Sequence, residues 1–285
     1  MLSPAFQCAQ FCKNIIQANS IFNYKIQRSC SLTKMTTQAK WKIEKNRVLN
    51  LPLQEKRKLY RTSEYITLED IYTWSKYAKE NEHIKTKLRT EDDLNEFKKF
   101  QINPAKNAHL AEKVSIFKGD ITKLEIDAIV NAANSRLKAG GGVDGAIHRA
   151  AGPLLQDECN SLGGCPTGQA KATSGYDLPA KYVIHTVGPQ DGSESKLQSC
   201  YEHCLALKSE CHFKSIAFPC ISTGIYGFPN RLAAHIALRT VRKYLESDDN
   251  MQRVIFCTFM PTDVDIYETL MQFVVDYDLV TPNLG

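Results

Sequence analysis

The sequence predicts an α/β fold in which helices cover both faces of an open, largely parallel sheet. Three observations support this prediction. From residue 113 onward, short apolar runs alternate with longer segments of helical periodicity. Residues 126–131 are almost wholly apolar, as expected of a strand that is buried on both faces. No run approaches the ~18 apolar residues that a membrane-spanning helix requires, and 43% hydrophobic with 24% charged residues is an ordinary globular composition.

The predicted elements follow one another in a regular order. Residues 114–117 form the first strand and residues 126–131 the second, and a helix over 143–151 ends at the pair Gly152-Pro153. The alternation then continues to the end of the domain. The later strands are 170–175, 182–187, 215–221 and 253–259, and the later helices are 197–210, 232–245 and 263–275.

Residues 1–45 form a basic leader. Glu44 is its first acidic residue, and the basic residues and serines ahead of it give the acid-poor composition of a mitochondrial transit peptide. A plain disordered tail is the alternative. We therefore expect a mitochondrial location, with cytoplasm or nucleus as the alternative.

Residues 46–110 are predicted to be a charged helical extension and linker, and residues 111–285 the main domain. Thr67, followed three residues later by Asp70, is typical of a capped helix start. We expect the extension to be a solvated accessory segment on the surface of the main domain, with a flexible link around residues 80–110.

Charge and cysteine content exclude several classes of protein. Residues 1–111 carry a net charge of +9, but residues 112–285 carry −4, which argues against a nucleic-acid-binding domain. The ten cysteines are scattered and several lie in apolar runs, as reduced intracellular thiols do. No metal or cofactor site is predicted, because the histidines and cysteines near one helix lack the paired spacing of a zinc site; they are Cys200, His203, Cys204, Cys211 and His212.

Two loops follow predicted strands, where open α/β sheets bind their ligands. In the first loop (residues 131–145), consecutive glycines let main-chain N–H groups approach an anion, and the next helix adds its N-terminal dipole. The loop lacks the lysine of an ATPase phosphate loop and the glycine spacing of a dinucleotide fingerprint. We interpret it as a phosphate cradle, with a flexible turn as the alternative. Its candidate residues are Ala132, Ala133, Asn134, Ala139, Gly140, Gly141, Gly142 and Val143.

The second loop (residues 222–228) has two glycines and two small hydroxyl side chains, which leave main-chain amides free to wrap a second phosphate. Tyr226 and Phe228 are expected to supply aromatic walls for a ribose or a base. The pairing of two such loops indicates a diphosphate held between them. The residues of this loop are Ser222, Thr223, Gly224, Ile225, Tyr226, Gly227 and Phe228.

Several motifs, in order along the chain, resemble the macrodomains of the MacroD-type ADP-ribosyl hydrolases. The resemblance covers roughly residues 113–275 and, weakly, the Glu55-Lys56-Arg57-Lys58 segment, whereas the leader lies outside it. The motifs that carry it are Gly119-Asp120-Ile121-Thr122, residues 127–134, residues 140–148, residues 182–189 and residues 220–227.

The resemblance implies a three-layer α/β/α fold around a mixed, largely parallel sheet, and an ADP-ribose site in the cleft between the two loops. It also implies metal-independent removal of mono-ADP-ribose from acidic side chains and deacetylation of O-acetyl-ADP-ribose. Asp120, flanked by Gly119 and the Ile121 backbone, would bind the exocyclic amine of adenine. Asn134 would bind the distal ribose, and Phe259 would pack on the adenosine.

Asn134 and Asp144 are the candidate catalytic residues. Asp144 is the first charged residue after the glycines, so it is expected near the distal ribose, where a carboxylate either activates water or steers the ribose so that a phosphate oxygen does so. Capping of the helix N-terminus is the structural alternative. His148 shares a helix face with Asp144, but an ordinary contact is the favoured interpretation, and His185 is predicted to be a core histidine.

Two functional classes remain open, and a third is disfavoured. A hydrolase would act on mono-ADP-ribosylated proteins and O-acetyl-ADP-ribose, whereas a reader would bind ADP-ribose without cleaving it. The polar pair at the distal ribose favours the hydrolase. Nucleic acid is not an expected partner, no membrane span is predicted, and the chain is expected to be a monomer.

Overall fold

The computed structural model describes residues 37–99 and 102–275, so the predicted leader up to residue 36 lies outside the described residues. None of the described helices has the length and apolarity needed to cross a bilayer. The strands are β1 (Ile66–Thr67), β2 (Val114–Lys118), β3 (Leu124–Glu125), β4 (Ala128–Ala132), β5 (Ala170–Ser174), β6 (Tyr182–Thr186), β7 (Ser215–Phe218) and β8 (Arg253–Thr258).

Helices precede, separate and follow these strands. Single 3-10 turns lie at Leu68–Asp70, Glu82–Thr86, Pro104–Lys106 and Ile121–Lys123. The α-helices are α1 (Thr37–Asn50), α2 (Leu53–Arg57), α3 (Trp74–Glu80), α4 (Glu91–Lys98), α5 (Asn107–Ala111), α6 (Gly142–Ala151), α7 (Pro153–Ser161), α8 (Glu194–Ala206), α9 (Lys208–Cys211), α10 (Asn230–Ser247) and α11 (Pro261–Val275).

The main sheet has six strands in the order β2-β8-β7-β4-β6-β5. All neighbours pair in parallel except β5, which is antiparallel to β6. The chain leaves β4 for β6 on one side and later returns to β7 on the other, so the strand order reverses at β4. Ligands of open α/β sheets bind beyond the carboxyl ends of the strands at such a switch point.

Two hydrophobic cores cover the two faces of the sheet, which confirms the predicted three-layer fold. Successive strand residues point to opposite faces. Val130 and Phe256 lie in the first core, which α8, α10 and α11 complete. Ile129 and Ile255 lie in the second core, which α6 and α7 complete.

The segment ahead of β2 contributes to the first core, so the expectation of a solvated accessory segment is wrong for its described residues. Trp74, Ile84, Phe97 and Leu110 are buried there. Where a flexible link was expected around residues 80–110, the structure has α4, α5 and two 3-10 turns in the described part. These apolar residues pack on helices far away in the sequence, which their local spacing could not show.

The bounds of other elements also differ from the predictions. The predicted helix over 197–210 is two helices, α8 and α9, and the predicted strand over 215–221 ends at Phe218. Thr67 and Asp70 form the expected capping box, but it caps only the three-residue turn Leu68–Asp70. Helix α1 runs through residue 45, where the leader was expected to end, and Lys45 Nζ donates to Glu158 at 2.6 Å.

Candidate active site

The carboxyl ends of the five parallel strands lie at one edge of the sheet, and the predicted site residues follow them. A cavity of about 320 Å³ opens there between the first loop at Asn134, the turn after β6 at Gly188 and the second loop at Tyr226. The structure therefore brings the two loops together across one cavity. A larger cavity of about 610 Å³ lies between α8 and α10, but its Arg239 already pairs with carboxylates of neighbouring helices, and its Arg242 pairs with Glu246 of the same helix.

The glycines of the first loop allow the chain to fold back over the start of α6. A Cβ on Gly145 would lie 2.5 Å from the carbonyl oxygen of Gly140, so only glycine fits there. Gly142 has a positive φ of 59°. No side chain caps α6 at Gly141, so the amides of its first turn remain available for an anion.

Asn134 and Asp144 approach the same glycine. A Cβ on Gly140 would lie 3.2 Å from Asp144 Oδ2 and 3.7 Å from Asn134 Nδ2. Asn134 Oδ1 accepts from the amides of Arg136 and Lys138, both at 3.2 Å, and Nδ2 donates to Lys138 O at 2.5 Å. The asparagine therefore shapes its own loop while its amide faces the glycines.

The Asp144 side chain is buried, with only 4% of the residue exposed. Oδ2 accepts from the amide of Gly140 at 2.5 Å, and Oδ1 accepts from Asn131 Nδ2 at 2.6 Å. The carboxylate thus ties the glycine loop to β4. Asp144 lies in the first turn of α6 but does not cap its N-terminus, because its partner Gly140 precedes the cap residue Gly141, so the capping alternative is wrong.

The second loop closes on itself through main-chain hydrogen bonds. The Phe228 amide donates to Ser222 O and the Gly227 amide to Gly224 O, both at 3.0 Å. Ser222 has a positive φ of 66°, and its buried Oγ has no partner among the described residues. A Cβ on Gly188 would lie 2.0 Å from that Oγ, so this glycine lets the second loop seat against the turn after β6.

The aromatic residues of the second loop differ in position. Tyr226 is half-buried at the cavity, Ile225 is exposed, and Thr223 Oγ1 donates to Cys220 O at 3.2 Å. Phe228 is 3% exposed and belongs to the first core. The prediction of an aromatic wall from Phe228 is therefore wrong, because its side chain packs beneath the loop.

The predicted adenine contacts lie at the neighbouring strands β2 and β8. Asp120 is exposed, and its Oδ1 accepts from the Thr122 amide at 2.9 Å and hydroxyl at 2.7 Å. Phe259, directly after β8, is 74% exposed, and Ile121 is buried, so only the Ile121 main chain can reach a ligand. An exposed carboxylate and an exposed aromatic ring therefore follow two adjacent strands.

Comparison with known proteins identifies the family. The sequence model of the Macro domain matches residues 130–237, which contain both loops. The ADP-ribose glycohydrolase MACROD1 of Bos taurus is 46% identical over 240 residues, which are 82% of this chain and 70% of that protein. The chain belongs to the macrodomain family. It is also 52% identical over 235 residues to the ADP-ribose glycohydrolase MACROD2 of Xenopus laevis, 80% of this chain and 53% of that protein, so it spans about half the length of that relative.

A solved structure agrees with the family assignment. The Trypanosoma brucei macrodomain in complex with ADP-ribose superimposes with a TM-score of 0.61 at 31% sequence identity. The match covers 80% of this macrodomain and 94% of that chain.

Sequence reasoning placed Asn131 at the start of the first loop but gave it no role in the site, whereas in this macrodomain it connects Asp144 to the sheet. It lies near the end of an apolar strand. The one sign of a special role in the sequence is a polar amide side chain among apolar neighbours. Its Nδ2 lies 3.1 Å from Nδ1 of His185, the predicted core histidine, which is fully buried. Burial, with a smaller contribution from the nearby His148, lowers the pKa of His185 to about 3.

His148 lies beside the carboxylate but is not hydrogen-bonded to it. Its Nε2 is 3.6 Å from Asp144 Oδ1 and is buried without a partner among the described residues. Burial lowers the pKa of His148, and the charge of Asp144 opposes that shift. The ring is therefore a neutral neighbour of the carboxylate, as the ordinary-contact interpretation expects.

Three buried side chains of this macrodomain could be considered as metal ligands. The ligand atoms of His148, Cys159 and His185 lie within 4.8 Å of one another. Cys159 Sγ and His185 Nε2 lie 3.7 Å apart and already contact each other. Burial raises the pKa of the Cys159 thiol to about 12, and His185 Nε2 already lies 2.9 Å from Thr173 Oγ1. Metal independence stays a prediction.

Proposed function

We propose that this macrodomain hydrolyses ADP-ribose from acidic side chains of modified proteins and also deacetylates O-acetyl-ADP-ribose. The observation that supports it most strongly is the convergence of Asn134 and Asp144 on Gly140, with Asn134 also lining the cavity that Tyr226 of the second loop lines. A module that only binds ADP-ribose has no need of a buried carboxylate beside the sugar. The MACROD1 and MACROD2 relatives are named ADP-ribose glycohydrolases, which supports the hydrolase part of this proposal.

The geometry suits a ligand with two phosphates and a distal sugar. The free amides at the start of α6 and those of the second loop would hold the diphosphate, with the helix dipole favouring its charge. The distal ribose would then lie at Gly140, between the Asn134 amide and the Asp144 carboxylate. Asp120 and Phe259 would bind the adenosine at the neighbouring strands.

The reaction would be an ester hydrolysis. Water supplies the oxygen of the new C–OH group on ADP-ribose, the bond between ribose and the carboxylate oxygen breaks, and the free carboxylate leaves while one proton passes to solvent. Asp144 would either take up the proton of that water or orient the ribose so that a phosphate oxygen takes it. General-base assistance of this kind is typically worth about 10²–10⁴ in rate.

Release of free ADP-ribose from a glutamate-modified protein tests the proposal. We expect release by the wild type and its loss by about 10²-fold or more in Asn134→Ala and in Asp144→Ala, with ADP-ribose binding partly retained. Binding without release by the wild type would support a reader instead. Normal turnover by both variants would show that the site is assigned wrongly.

We further propose that residues 1–45 direct the chain to mitochondria, because this leader is basic and its first acidic residue is Glu44. A tagged chain lacking residues 1–35 is expected to move from mitochondria to the cytosol. An unchanged distribution would refute the proposal. We also propose a monomer, which light scattering of the purified chain would test.

A further inference from the structure

A row of buried polar side chains crosses the sheet beneath α6 and ends at Asp144. Its members are Thr173 on β5, His185 on β6 and Asn131 on β4, and all three are fully buried. Asn131 and His185 are direct partners in the parallel pairing of β4 with β6. We call Thr173, His185, Asn131 and Asp144 the polar ladder.

The hydrogen bonds of the polar ladder determine which atom carries each shared proton. Because the Asp144 carboxylate only accepts, Asn131 must present Nδ2 to Oδ1, at 2.6 Å. The second hydrogen of Nδ2 then faces His185 Nδ1 at 3.1 Å, which must be unprotonated. The His185 proton therefore lies on Nε2 and is donated to Thr173 Oγ1 at 2.9 Å, whose hydroxyl donates to Val183 O at 3.4 Å.

Such a row of buried polar side chains costs free energy beside apolar strand residues. Burying polar groups costs free energy even when they are bonded, and apolar residues of similar volume often stabilise a fold as well or better. Residues that neighbour the ladder in sequence, such as Ile129 and Val183, are apolar and fully buried. Stability alone therefore does not explain the ladder.

The ladder does explain how Asp144 is held. Asn131 fixes Oδ1 from the sheet, and the Gly140 amide fixes Oδ2 from the first loop. A carboxylate bonded at both oxygens cannot rotate without breaking one of these bonds. Its orientation is thus set by β4 and, through Asn131, by His185.

We propose that Asn131 and His185 are positioning residues that act on the reaction only through Asp144, by fixing the orientation of its carboxylate. This inference rests on the proposed hydrolase function. The titratable groups that face His185 are His148, Cys159 and, through Asn131, Asp144. Burial keeps the pKa of His185 near 3, with His148 as the second cause, so the ring stays neutral and the ladder intact at physiological pH.

A double-mutant cycle tests whether Asn131 acts through Asp144. Asn131→Leu has a similar volume and no donor, and we expect it to lower kcat about 10- to 100-fold with the Kd for ADP-ribose changed by less than about threefold. In an Asp144→Ala background the same substitution is expected to change the residual rate by less than about threefold, because nothing is left to position. Single-turnover measurements with enzyme in excess keep that rate detectable. Equal losses in both backgrounds would overturn the inference.

A second cycle tests His185 in the same way. His185→Leu is expected to lower kcat about tenfold, and the variant combining it with Asn131→Leu is expected to be no slower than Asn131→Leu alone. A combined loss equal to the product of the two single losses would contradict a shared route through Asp144.

Ser115→Ala is the matched control, because Ser115 is another fully buried polar side chain of the sheet, bonded to Arg253 on the distant β2–β8 pair. It is expected to lower the unfolding temperature while kcat stays within about twofold of wild type. A loss of kcat as large as that of Asn131→Leu would show that any buried polar deletion has this effect, and the inference would fail.

The wild-type chain provides a test that no folding defect can obscure. Long-range ¹⁵N–¹H correlation spectra are expected to show His185 as the neutral Nε2–H tautomer throughout pH 5 to 8, the range in which an ordinary histidine titrates. An Nδ1–H tautomer or a protonated ring in that range would overturn the inference. Failure of the hydrolase proposal appears differently, as a lack of ADP-ribose release by the wild type.

Discussion

Gly145→Ala separates the role of the glycines from the stability of α6. Glycine inside a helix is destabilising by about 0.5–1 kcal/mol relative to alanine, so helix propensity alone predicts a more stable protein. The structure predicts a loss of function instead. The added Cβ would lie 2.5 Å from the carbonyl oxygen of Gly140, and the loop would retreat by roughly 1 Å to reach ordinary contact distance.

That displacement bears directly on Asp144, because the Gly140 amide donates to its Oδ2 at 2.5 Å. A misplacement of about 1 Å can cost about 10²-fold in rate, which is about 2.7 kcal/mol in activation free energy. We therefore expect Gly145→Ala to lose about 10²-fold in kcat for ADP-ribose release, with an unfolding temperature near that of the wild type.

Ala150→Gly is the control, because it lies later in the same helix, away from the loop. It is expected to lower the free energy of unfolding by about 1 kcal/mol and to leave kcat within about twofold. If Gly145→Ala raised the unfolding temperature and kept wild-type kcat, the close approach of Gly140 would have no bearing on the reaction.

Three further predictions concern other parts of the molecule. Gly188→Ala puts a Cβ 2.0 Å from Ser222 Oγ, so calorimetry is expected to show ADP-ribose binding weakened about tenfold or more, and unchanged binding would refute it. Burial tends to raise the pKa of Asp93, but hydrogen bonds from His235, Arg231 and Thr90 hold it well below 3.8. The stabilisation that the Asp93 carboxylate provides is therefore complete above pH ~4 and is lost as the pH falls further. In urea unfolding at pH 7, Asp93→Ala is expected to be less stable than the wild type by about 3 kcal/mol. The stability of this variant is also expected to depend less on pH in the acid range. Trp74→Ala is expected to lower the free energy of unfolding by about 3–5 kcal/mol, measured by the same method. A decrease below about 0.5 kcal/mol would instead fit a solvated accessory segment.

The parts of the fold that could be predicted from sequence are those with local signals. Alternating apolar runs gave the strands and helices, and consecutive glycines at Gly140–Gly142 indicated an anion cradle, because backbone freedom is a property of the residue itself. Strand order, by contrast, depends on pairings between distant segments.

The wrong or missing predictions also arise because contacts between distant segments leave no local signal in the sequence. Phe228 lies among turn residues whose spacing does not show whether a ring points into the cavity or into the core. Trp74 and Phe97 belong to a core that helices more than a hundred residues away complete, so their burial has no local signature. Asn131 acquires its role from the register that places it opposite His185, which only the paired strands reveal.

Titration calorimetry of the full chain with ADP-ribose, and with AMP for comparison, tests the central claim most directly: that two loops at one edge of the sheet clamp a diphosphate with main-chain amides. We expect one ADP-ribose per chain, and AMP, which lacks the second phosphate and the distal ribose, to bind at least about tenfold more weakly. No association with ADP-ribose, or equal affinity for AMP, would contradict the account.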